Sequence, residues 1–163
     1  MTSTPSSTSP PHNAFRYDVF LSFSGKDTRH TFTDHLYHAL LGAGVRTFRD
    51  DDDIERGEGL EPEIIAAITK SKASIVVLSE NYAQSTWCLD ELWLILEQRR
   101  RYGHYVLPVF YHVKPSDVRY QTGKFAIAIP KASRSDVRRW KDALRNVADL
   151  AGMVPTGYIC FTL

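Results

Sequence analysis

The segment Ala73–Leu92, ASIVVLSENYAQSTWCLDEL, decides the fold and contains the first candidate for chemistry. Its first six residues show almost no polar alternation, which is typical of a central parallel strand. Helical spacing of apolar residues after that strand predicts a helix ending near Arg101. In an open α/β sheet, a junction of this kind at the carboxyl end of a strand lines the ligand crevice. Glu91, close to the aromatic ring of Trp87, is therefore the first candidate to bind a ribose or to stabilise a developing cation.

Strand-like and helix-like segments alternate outward from this junction. The predicted strands are Tyr17–Phe23, Val45–Phe48, Ala73–Leu78 and Tyr105–Tyr111, and helical spacing of apolar residues follows each of them, over Thr31–Ala43, from Pro62 through Ile68, from Leu89 through Leu96, and over Val137–Leu150. This order predicts an α/β fold with a parallel sheet between two layers of helices. Pro108 cannot donate a ladder hydrogen bond, so a bulge or a sheet edge is predicted at the fourth strand. A loop is predicted from the end of that strand through Gly123.

The composition is that of an ordinary single domain. The 163 residues carry 20 basic and 19 acidic side chains, so no global charge favours nucleic acid or an anionic membrane. Two cysteines, Cys88 and Cys160, are too few for a disulfide framework and form no CxxC pair, so a reducing compartment is predicted, the cytoplasm or alternatively the nucleus. No apolar run approaches the roughly 20 residues that span a bilayer. The histidines show no metal-ligand spacing, so no metal is expected.

The first residues read as a tail outside the domain. Residues 1–14 are rich in Ser, Thr and Pro and lack the apolar core of a secretory signal, so a disordered segment is predicted there. The segment contains no arginine and no amphipathic helix, which argues against a transit peptide. We find no internal repeat and no second domain.

Four separated motifs resemble the TIR domains of plant immune proteins. They are YDVFLSFSGKDTRHTF at Tyr17–Phe32, TFRDDDDIERGE at Thr47–Glu58, LSENYAQSTWCLDEL at Leu78–Leu92 and VLPVFYHVKPSDVRYQTGKF at Val106–Phe125. The resemblance covers residues 15–152, and it implies a flavodoxin-like three-layer sandwich with a five-stranded parallel sheet. Residues 153–163 would then be a C-terminal peptide in which Tyr158–Leu163 is the candidate fifth strand, and no residues remain for the last helix of the family. The chain is either a TIR-only protein or part of a larger receptor.

The resemblance also implies an activity. Many plant TIR domains are NAD⁺ glycohydrolases, which release nicotinamide together with ADP-ribose or cyclic and variant ADP-ribose signals. NAD⁺ is the substrate, and no separate cofactor is implied. The catalytic glutamate of the WCLxEL motif is Glu91 here, and Ser85 and Trp87 belong to the same pocket.

Two loops complete the implied substrate site. The first follows the first strand and usually reads FRGxDTR in the family. Here it contains Phe23, Ser24, Gly25 and Arg29, so Ser24 replaces the usual arginine while Arg29 is retained. The second, residues 50–59, corresponds to the family's BB loop, which partly covers the site. Asp53 and Ile54 are its candidate contacts with substrate.

A single carboxylate fits the implied chemistry. Most O-glycosidases use two carboxylates because the leaving oxygen must be protonated. Nicotinamide leaves NAD⁺ as a neutral molecule, so one carboxylate could hold the ribose and stabilise an oxocarbenium-like transition state. The nearby helix N-terminus could receive the pyrophosphate.

Structural interpretations compete with these roles. Asp90 and Glu91 could simply complement the helix dipole, and Trp87 could be a packing residue. Cys88 reads as a small buried hydrophobe, because the sequence places no base beside it. The run Asp50–Asp53 reads as a solvated loop, because it lacks the spaced ligands of a calcium site.

Self-association is the remaining expectation from the resemblance. The family uses one surface built from its first and last helices, and a second built from the BB loop and its neighbours. The first often carries a Ser-His pair, which is Asp34-His35 here, and a simple surface histidine is the competing interpretation of His35. The leading hypothesis is an NAD⁺ glycohydrolase in immune signalling, and the alternative is an interaction module without catalysis. A nucleic-acid-dependent cyclic-nucleotide synthase is weaker, because the near-neutral charge gives it no support.

Overall fold

The computed structural model describes residues 15–50, 59–156 and 160–162. Four parallel strands form the central sheet in the order β2-β1-β3-β4. The strands are β1 (Tyr17–Phe23), β2 (Thr47–Arg49), β3 (Ser71–Leu78) and β4 (Tyr105–Phe110), followed by β5 (Val154–Thr156) and β6 (Cys160–Thr162). The helices are α1 (Gly25–Thr28), α2 (Phe32–Gly42), α3 (Pro62–Thr69), α4 (Thr86–Tyr102), α5 (Pro115–Tyr120) and α6 (Arg134–Ala148), with 3₁₀ turns at Tyr82–Gln84 and Gly123–Phe125.

Helices cover both faces of this sheet, as the alternation of segments predicts. On one face, α3, α4 and α6 bury a large core that includes Phe20, Val76 and Leu92. On the other face, α2 packs against a smaller cluster that includes Leu21 and Val77. The strand β3 has buried residues on both faces, which confirms its prediction as a central strand. All four strands end at the same edge, and this carboxyl edge is where the loops before α1 and α4 meet.

The predicted sheet edge at Pro108 is confirmed. Strand β4 is the last strand of the parallel sheet, and Pro108 pairs in register with Val76 without a bulge. The Pro108 carbonyl accepts a hydrogen bond from the Met153 amide on the outer side of β4, and the Phe110 amide donates to the Met153 carbonyl. The nitrogen of Pro108, which carries no hydrogen, therefore faces the outer edge of β4. If it faced β3, one hydrogen bond of the ladder between β3 and β4 would be lost.

The fifth strand differs from its prediction. A single parallel bridge between Val109 and Met153 lies on the outer side of β4, where a fifth strand would pair, so the chain reaches this edge before Tyr158. Of the predicted strand Tyr158–Leu163, the described residues Cys160–Thr162 pair antiparallel with β5 instead. Segments this short carry little periodicity, which explains the error. Among the described residues up to Thr162, no helix follows α6.

Two short helices were also not predicted. The helix α5 begins at Pro115, where a fixed backbone angle suits the first helical position, inside the segment predicted as a loop. The helix α1 is a single turn after β1. Within the described part of the chain, no helix is long and apolar enough to cross a membrane.

Candidate functional site

A cleft of about 410 Å³ opens at the carboxyl edge of the sheet. The end of β1 and the turn α1 form one wall, and the loop after β3 with the first turns of α4 forms the other. Seven of the residues predicted for the site line it, namely Phe23, Ser24, Gly25, Arg29, Ser85, Trp87 and Glu91. The other two predicted contacts, Asp53 and Ile54, lie outside the described residues. Two loops separated by more than fifty residues of sequence thus meet at one cleft, because both follow neighbouring parallel strands.

Glu91 is a buried acid in the wall of this cleft. Its side chain is 3% exposed, and its Oε2 accepts a hydrogen bond of 2.7 Å from the Ser22 hydroxyl. Burial raises the pKa of Glu91 from its usual 4.5 to about 8, and the negative charge of Asp50 adds to the rise, while hydrogen bonding to Ser22 and to the Trp87 side chain opposes it. Glu91 is therefore not a surface acid, although a carboxyl at this position can still complement the dipole of α4.

The neighbouring acid, Asp90, has a structural role. Its Oδ1 accepts a hydrogen bond of 2.9 Å from the indole nitrogen of Trp140 and lies 4.0 Å from the Arg139 guanidinium. Trp140 belongs to α6 and is buried in the large core. Asp90 therefore links α4 to α6, and the two consecutive acids point to different parts of the molecule.

The start of α4 is held by Ser85. The Ser85 hydroxyl accepts a hydrogen bond of 3.2 Å from the Cys88 amide, as in a standard N-cap. That amide is therefore already used, which reduces the capacity of this helix end to receive a pyrophosphate. Cys88 itself is buried, and its thiol donates to the Phe23 carbonyl at 3.5 Å. This contact supports the prediction that Cys88 is a core residue.

Arg29 anchors the loop that contains Ser24 to the residue after β2. The Arg29 guanidinium donates a hydrogen bond of 2.8 Å to the carbonyl of Asp50 and lies 5.1 Å from the centre of the Phe23 ring. Ser24, at the position where the family usually has arginine, is buried. Lys26 and His30 also line the cleft, so basic side chains suited to phosphate remain on this wall without that arginine.

Asp27 joins the two walls of the cleft. Its carboxylate accepts hydrogen bonds of 2.7 Å from both the backbone amide and the side-chain amide of Asn81, and a third from the Ser79 hydroxyl. Asp27 thereby ties α1 to the loop after β3. Sequence reasoning missed Asp27, because only the tertiary fold shows which loop faces it.

Two further buried residues were missed. Ser22 and Tyr82 are fully buried, and their hydroxyl oxygens lie 2.8 Å apart. A signal for Ser22 was present in the sequence, since it is a polar residue in an otherwise apolar strand segment, and buried polar groups need a partner. Tyr82 lies in a short 3₁₀ turn without periodicity, so no sequence pattern marks it.

Residues 15–50, 59–156 and 160–162 contain no cluster of three or more His, Cys, Asp or Glu side chains arranged to hold an ion.

The predicted interface pair lies on α2, away from the buried core. Asp34 forms an ion pair of 3.0 Å with Arg49, and His35 is exposed.

Comparisons with known proteins match this fold and motif set. The family model for the TIR domain matches residues 16–156. The chain is 50% identical over 153 residues, 92% of its length, to Disease resistance protein RPV1 of Vitis rotundifolia, and 47% identical over 142 residues, 83% of its length, to TMV resistance protein N of Nicotiana glutinosa. It spans only 11% and 12% of those proteins.

Solved structures agree with the sequence comparison. One similar structure is that of the TIR domains of the activated Roq1 resistosome, which directly recognises the pathogen effector XopQ. These domains superpose on this chain with a TM-score of 0.78 and 46% identity, covering 85% of this chain and 87% of that one. A metazoan TIR-STING receptor from C. gigas shares the fold alone, with a TM-score of 0.51 and 22% identity over 85% of this chain and 42% of that one. The chain belongs to the TIR domain family, and its similarity is to the TIR domains of plant disease resistance proteins.

Proposed function

We propose that this TIR domain is an NAD⁺ glycohydrolase that acts in plant immune signalling. The observation that carries the proposal is the buried Glu91 carboxyl in the wall of a cleft large enough for a nucleotide. A buried carboxyl with a raised pKa in a cleft is a typical mark of a functional site. The similarity to disease resistance proteins supports the immune context.

The reaction requires little from the protein beyond one carboxylate. The bond between the nicotinamide nitrogen and C1′ of the ribose breaks, and its electron pair neutralises the pyridinium nitrogen. The positive charge moves to the ribose, where the Glu91 carboxylate stabilises it. Water then attacks C1′ and loses a proton, which yields ADP-ribose. Attack by a hydroxyl or ring nitrogen of the same nucleotide would instead give a cyclic product.

The raised pKa of Glu91 fits a cationic substrate. Below about pH 8 the carboxyl of the free protein is largely protonated. A nicotinamide cation brought beside it would favour the ionised form, because an opposite charge within a few ångströms lowers the pKa of a carboxyl. Glu91 would then carry its charge chiefly when NAD⁺ is bound. Trp87, in the same wall, offers an aromatic surface to the nicotinamide or ribose.

The test compares two adjacent acids. Clustered wild-type protein and its variants are incubated with NAD⁺, and nicotinamide release is followed. We expect Glu91→Gln to lower the rate by at least about 100-fold, because the variant cannot carry the compensating charge. Asp90→Asn is the matched control, because its amide oxygen can still accept the hydrogen bond from Trp140, and we expect it to retain most of the activity. Equal turnover by folded Glu91→Gln protein would refute the mechanism.

A second candidate function is an interaction module without catalysis. The exposed His35 beside the ion-paired Asp34 offers a polar helix surface for a second TIR domain, and the similar Roq1 TIR domains come from an assembled resistosome. This alternative predicts concentration-dependent self-association that His35→Ala weakens, with no nicotinamide released even by clustered protein. Light scattering of both proteins, run beside the NAD⁺ assay, separates the two functions.

A further inference from the structure

A chain of buried polar groups leads from Glu91 into the core. Ser22 donates to the Glu91 carboxyl at 2.7 Å, and its oxygen lies 2.8 Å from the Tyr82 hydroxyl. The Tyr82 hydroxyl in turn lies 3.1 Å from the Cys88 carbonyl. Ser22 and Tyr82 are both 0% exposed. The sequence carboxyl, hydroxyl, phenol, carbonyl therefore runs from the cleft wall through two side chains that solvent does not reach.

This chain of groups can satisfy Glu91 in both of its charge states. When the carboxyl is protonated, it donates to Ser22, Ser22 donates to Tyr82, and Tyr82 donates to the Cys88 carbonyl. When the carboxyl is ionised, Ser22 donates to it, and Tyr82 turns its proton toward the Ser22 oxygen. Every hydroxyl proton has an acceptor in either direction. Only hydroxyl rotation is needed to change from one arrangement to the other.

Packing alone does not account for the arrangement. Tyr82 would keep a hydrogen-bond partner in the Cys88 carbonyl without Ser22, and alanine at position 22 would fill most of the same space. Burying hydroxyl groups costs free energy unless each is well paired, so apolar residues would stabilise this core at least as well. The polar chain is therefore better explained by the group at its open end.

The charged and titratable groups around Glu91 come from several elements. Asp50 follows β2 and disfavours the ionised carboxyl. Lys26, Arg29 and His30, from the segment after β1, bring basic groups to the same cleft. Tyr82 and Cys88 are buried beside Glu91. The pKa of Tyr82 is raised well above its usual value, chiefly by burial, so its phenol stays protonated. The Tyr82 proton is thus always available to the chain.

We propose that Ser22 and Tyr82 are positioning residues for Glu91: their hydroxyls hold its carboxyl in place in the cleft wall, and their hydrogen bonds reverse direction as it ionises. Glu91 can then change its charge without changing its position. Tyr82 acts through Ser22, because its hydroxyl bonds Ser22 and the Cys88 carbonyl. The inference rests on the proposed function only in so far as Glu91 acts on a substrate.

The first measurement does not require activity. Glutamate side chains are labelled with ¹³C, Glu91→Gln identifies the Glu91 resonance, and its titration is followed by NMR. Ser22→Ala removes a donor to the ionised carboxyl, so we expect the titration to move upward by about one pH unit or more. Tyr82→Phe is expected to change it less. The double variant should match Ser22→Ala, since Tyr82 acts through the Ser22 hydroxyl.

Ser71→Ala is the matched control. Ser71 is a fully buried strand serine whose hydroxyl donates to the Ala67 carbonyl, so the same group is deleted away from Glu91. It should leave the Glu91 titration unchanged. Ser22→Cys, which fills similar space with a weaker donor, should give an intermediate shift, and it replaces the alanine variant if that protein does not fold.

Kinetics supply the second readout. If wild-type protein releases nicotinamide, Ser22→Ala should lower kcat about tenfold, change KM less than twofold and move the acid limb of kcat/KM to higher pH. An unchanged Glu91 titration in folded Ser22→Ala protein, or additive shifts in the double variant, overturns the proposal. Absence of nicotinamide release by the wild type refutes the proposed function instead, and the NMR titration still decides the role of Ser22 and Tyr82.

Discussion

Two buried pairs, each of a serine and a titratable side chain, lie at different ends of the sheet and differ in what surrounds them. Ser22 on β1 contacts Glu91, which lines the cleft at the carboxyl edge. Ser74 on β3 contacts the His104 ring at 2.7 Å, and His104 precedes β4 at the amino end of the sheet. Each pair is a buried hydrogen bond between a serine hydroxyl and a titratable group, but only the first pair borders the cleft. A buried hydrogen bond by itself therefore says little about function. What distinguishes the two pairs is whether a cleft that can hold a ligand lies next to the titratable group.

Burial shifts the pKa values of the two titratable groups in opposite directions, and both shifts favour the neutral form. It raises the pKa of Glu91 and lowers the pKa of His104, so each group is held in its neutral form. The His104 ring also hydrogen-bonds the Ser71 backbone, which opposes the effect of burial. Glu91 lines the cleft, so a charged ligand bound there can ionise it. His104 does not line the cleft.

The largest expected effect is the pH dependence of stability from Glu91. The folded protein binds this proton more tightly than the unfolded chain, so stability is lost as pH rises from 4.5 to about 8. The loss amounts to roughly 5 kcal/mol at most. Urea unfolding of wild-type and Glu91→Gln protein between pH 5 and 9 measures it. The variant should lack this slope, and parallel curves for the two proteins would contradict the assignment.

The next effect separates the pairs by activity. If the ionised Glu91 carboxyl of the free protein is required, kcat/KM for NAD⁺ should rise about tenfold per pH unit up to about pH 8. His104→Gln should leave this profile unchanged, because His104 does not line the cleft. Initial rates of nicotinamide release between pH 6 and 9 provide the measurement. A profile that moves with His104→Gln would show that the two ends of the sheet are coupled.

A smaller effect concerns the stability of the pair at the amino end. Ser74→Ala leaves a buried ring nitrogen of His104 without its hydroxyl partner, so we expect a loss of about 1–2 kcal/mol in unfolding free energy. The contribution of His104 to stability should also fall as pH drops below 6.5, since the unfolded chain then binds a proton that folded His104 resists. Glu91 acts in the opposite direction over the same pH range, so the His104 contribution is measured as the difference between wild type and His104→Gln.

Chemical denaturation of wild-type, Ser74→Ala and His104→Gln protein at pH 5, 6 and 7 tests both statements. Nicotinamide release at neutral pH serves as the control, because Ser74→Ala should leave it unchanged. A stable Ser74→Ala protein with impaired turnover would reverse the assignment of the two pairs.

The smallest effect compares two helix caps. Ser85 accepts from the Cys88 amide at the start of α4, and Ser133 accepts from the Asp136 amide at the start of α6. Each serine-to-alanine change should cost about 1 kcal/mol of stability. Thermal unfolding checks this equality. Of the two variants, only Ser85→Ala should also lower turnover, because Ser85 holds the helix turn that carries Trp87 at the cleft. Equal activities for the two variants would count against a role for Ser85 in the site.

Much of the fold could be predicted because long apolar segments have clear periods. The strand β1 was predicted with its observed bounds, and the apolar run of β3 was recognised as central. The errors fall on short elements. The helix α5 has six residues, and the chain after α6 meets the sheet at one residue, Met153, so neither presents enough positions for a pattern.

The order of strands and helices in the sequence placed Glu91 at the carboxyl edge of the sheet, and the resemblance to TIR domains added the loop from Phe23 to Arg29. Both follow the carboxyl ends of strands, and parallel strands bring those ends to one edge whatever the side chains are. The partners of Glu91 were decided only by the tertiary structure. Ser22 lies 69 residues from Glu91 and 60 from Tyr82 along the chain. Hydrogen bonds over such separations depend on strand order, register and helix rotation, which no local sequence pattern encodes.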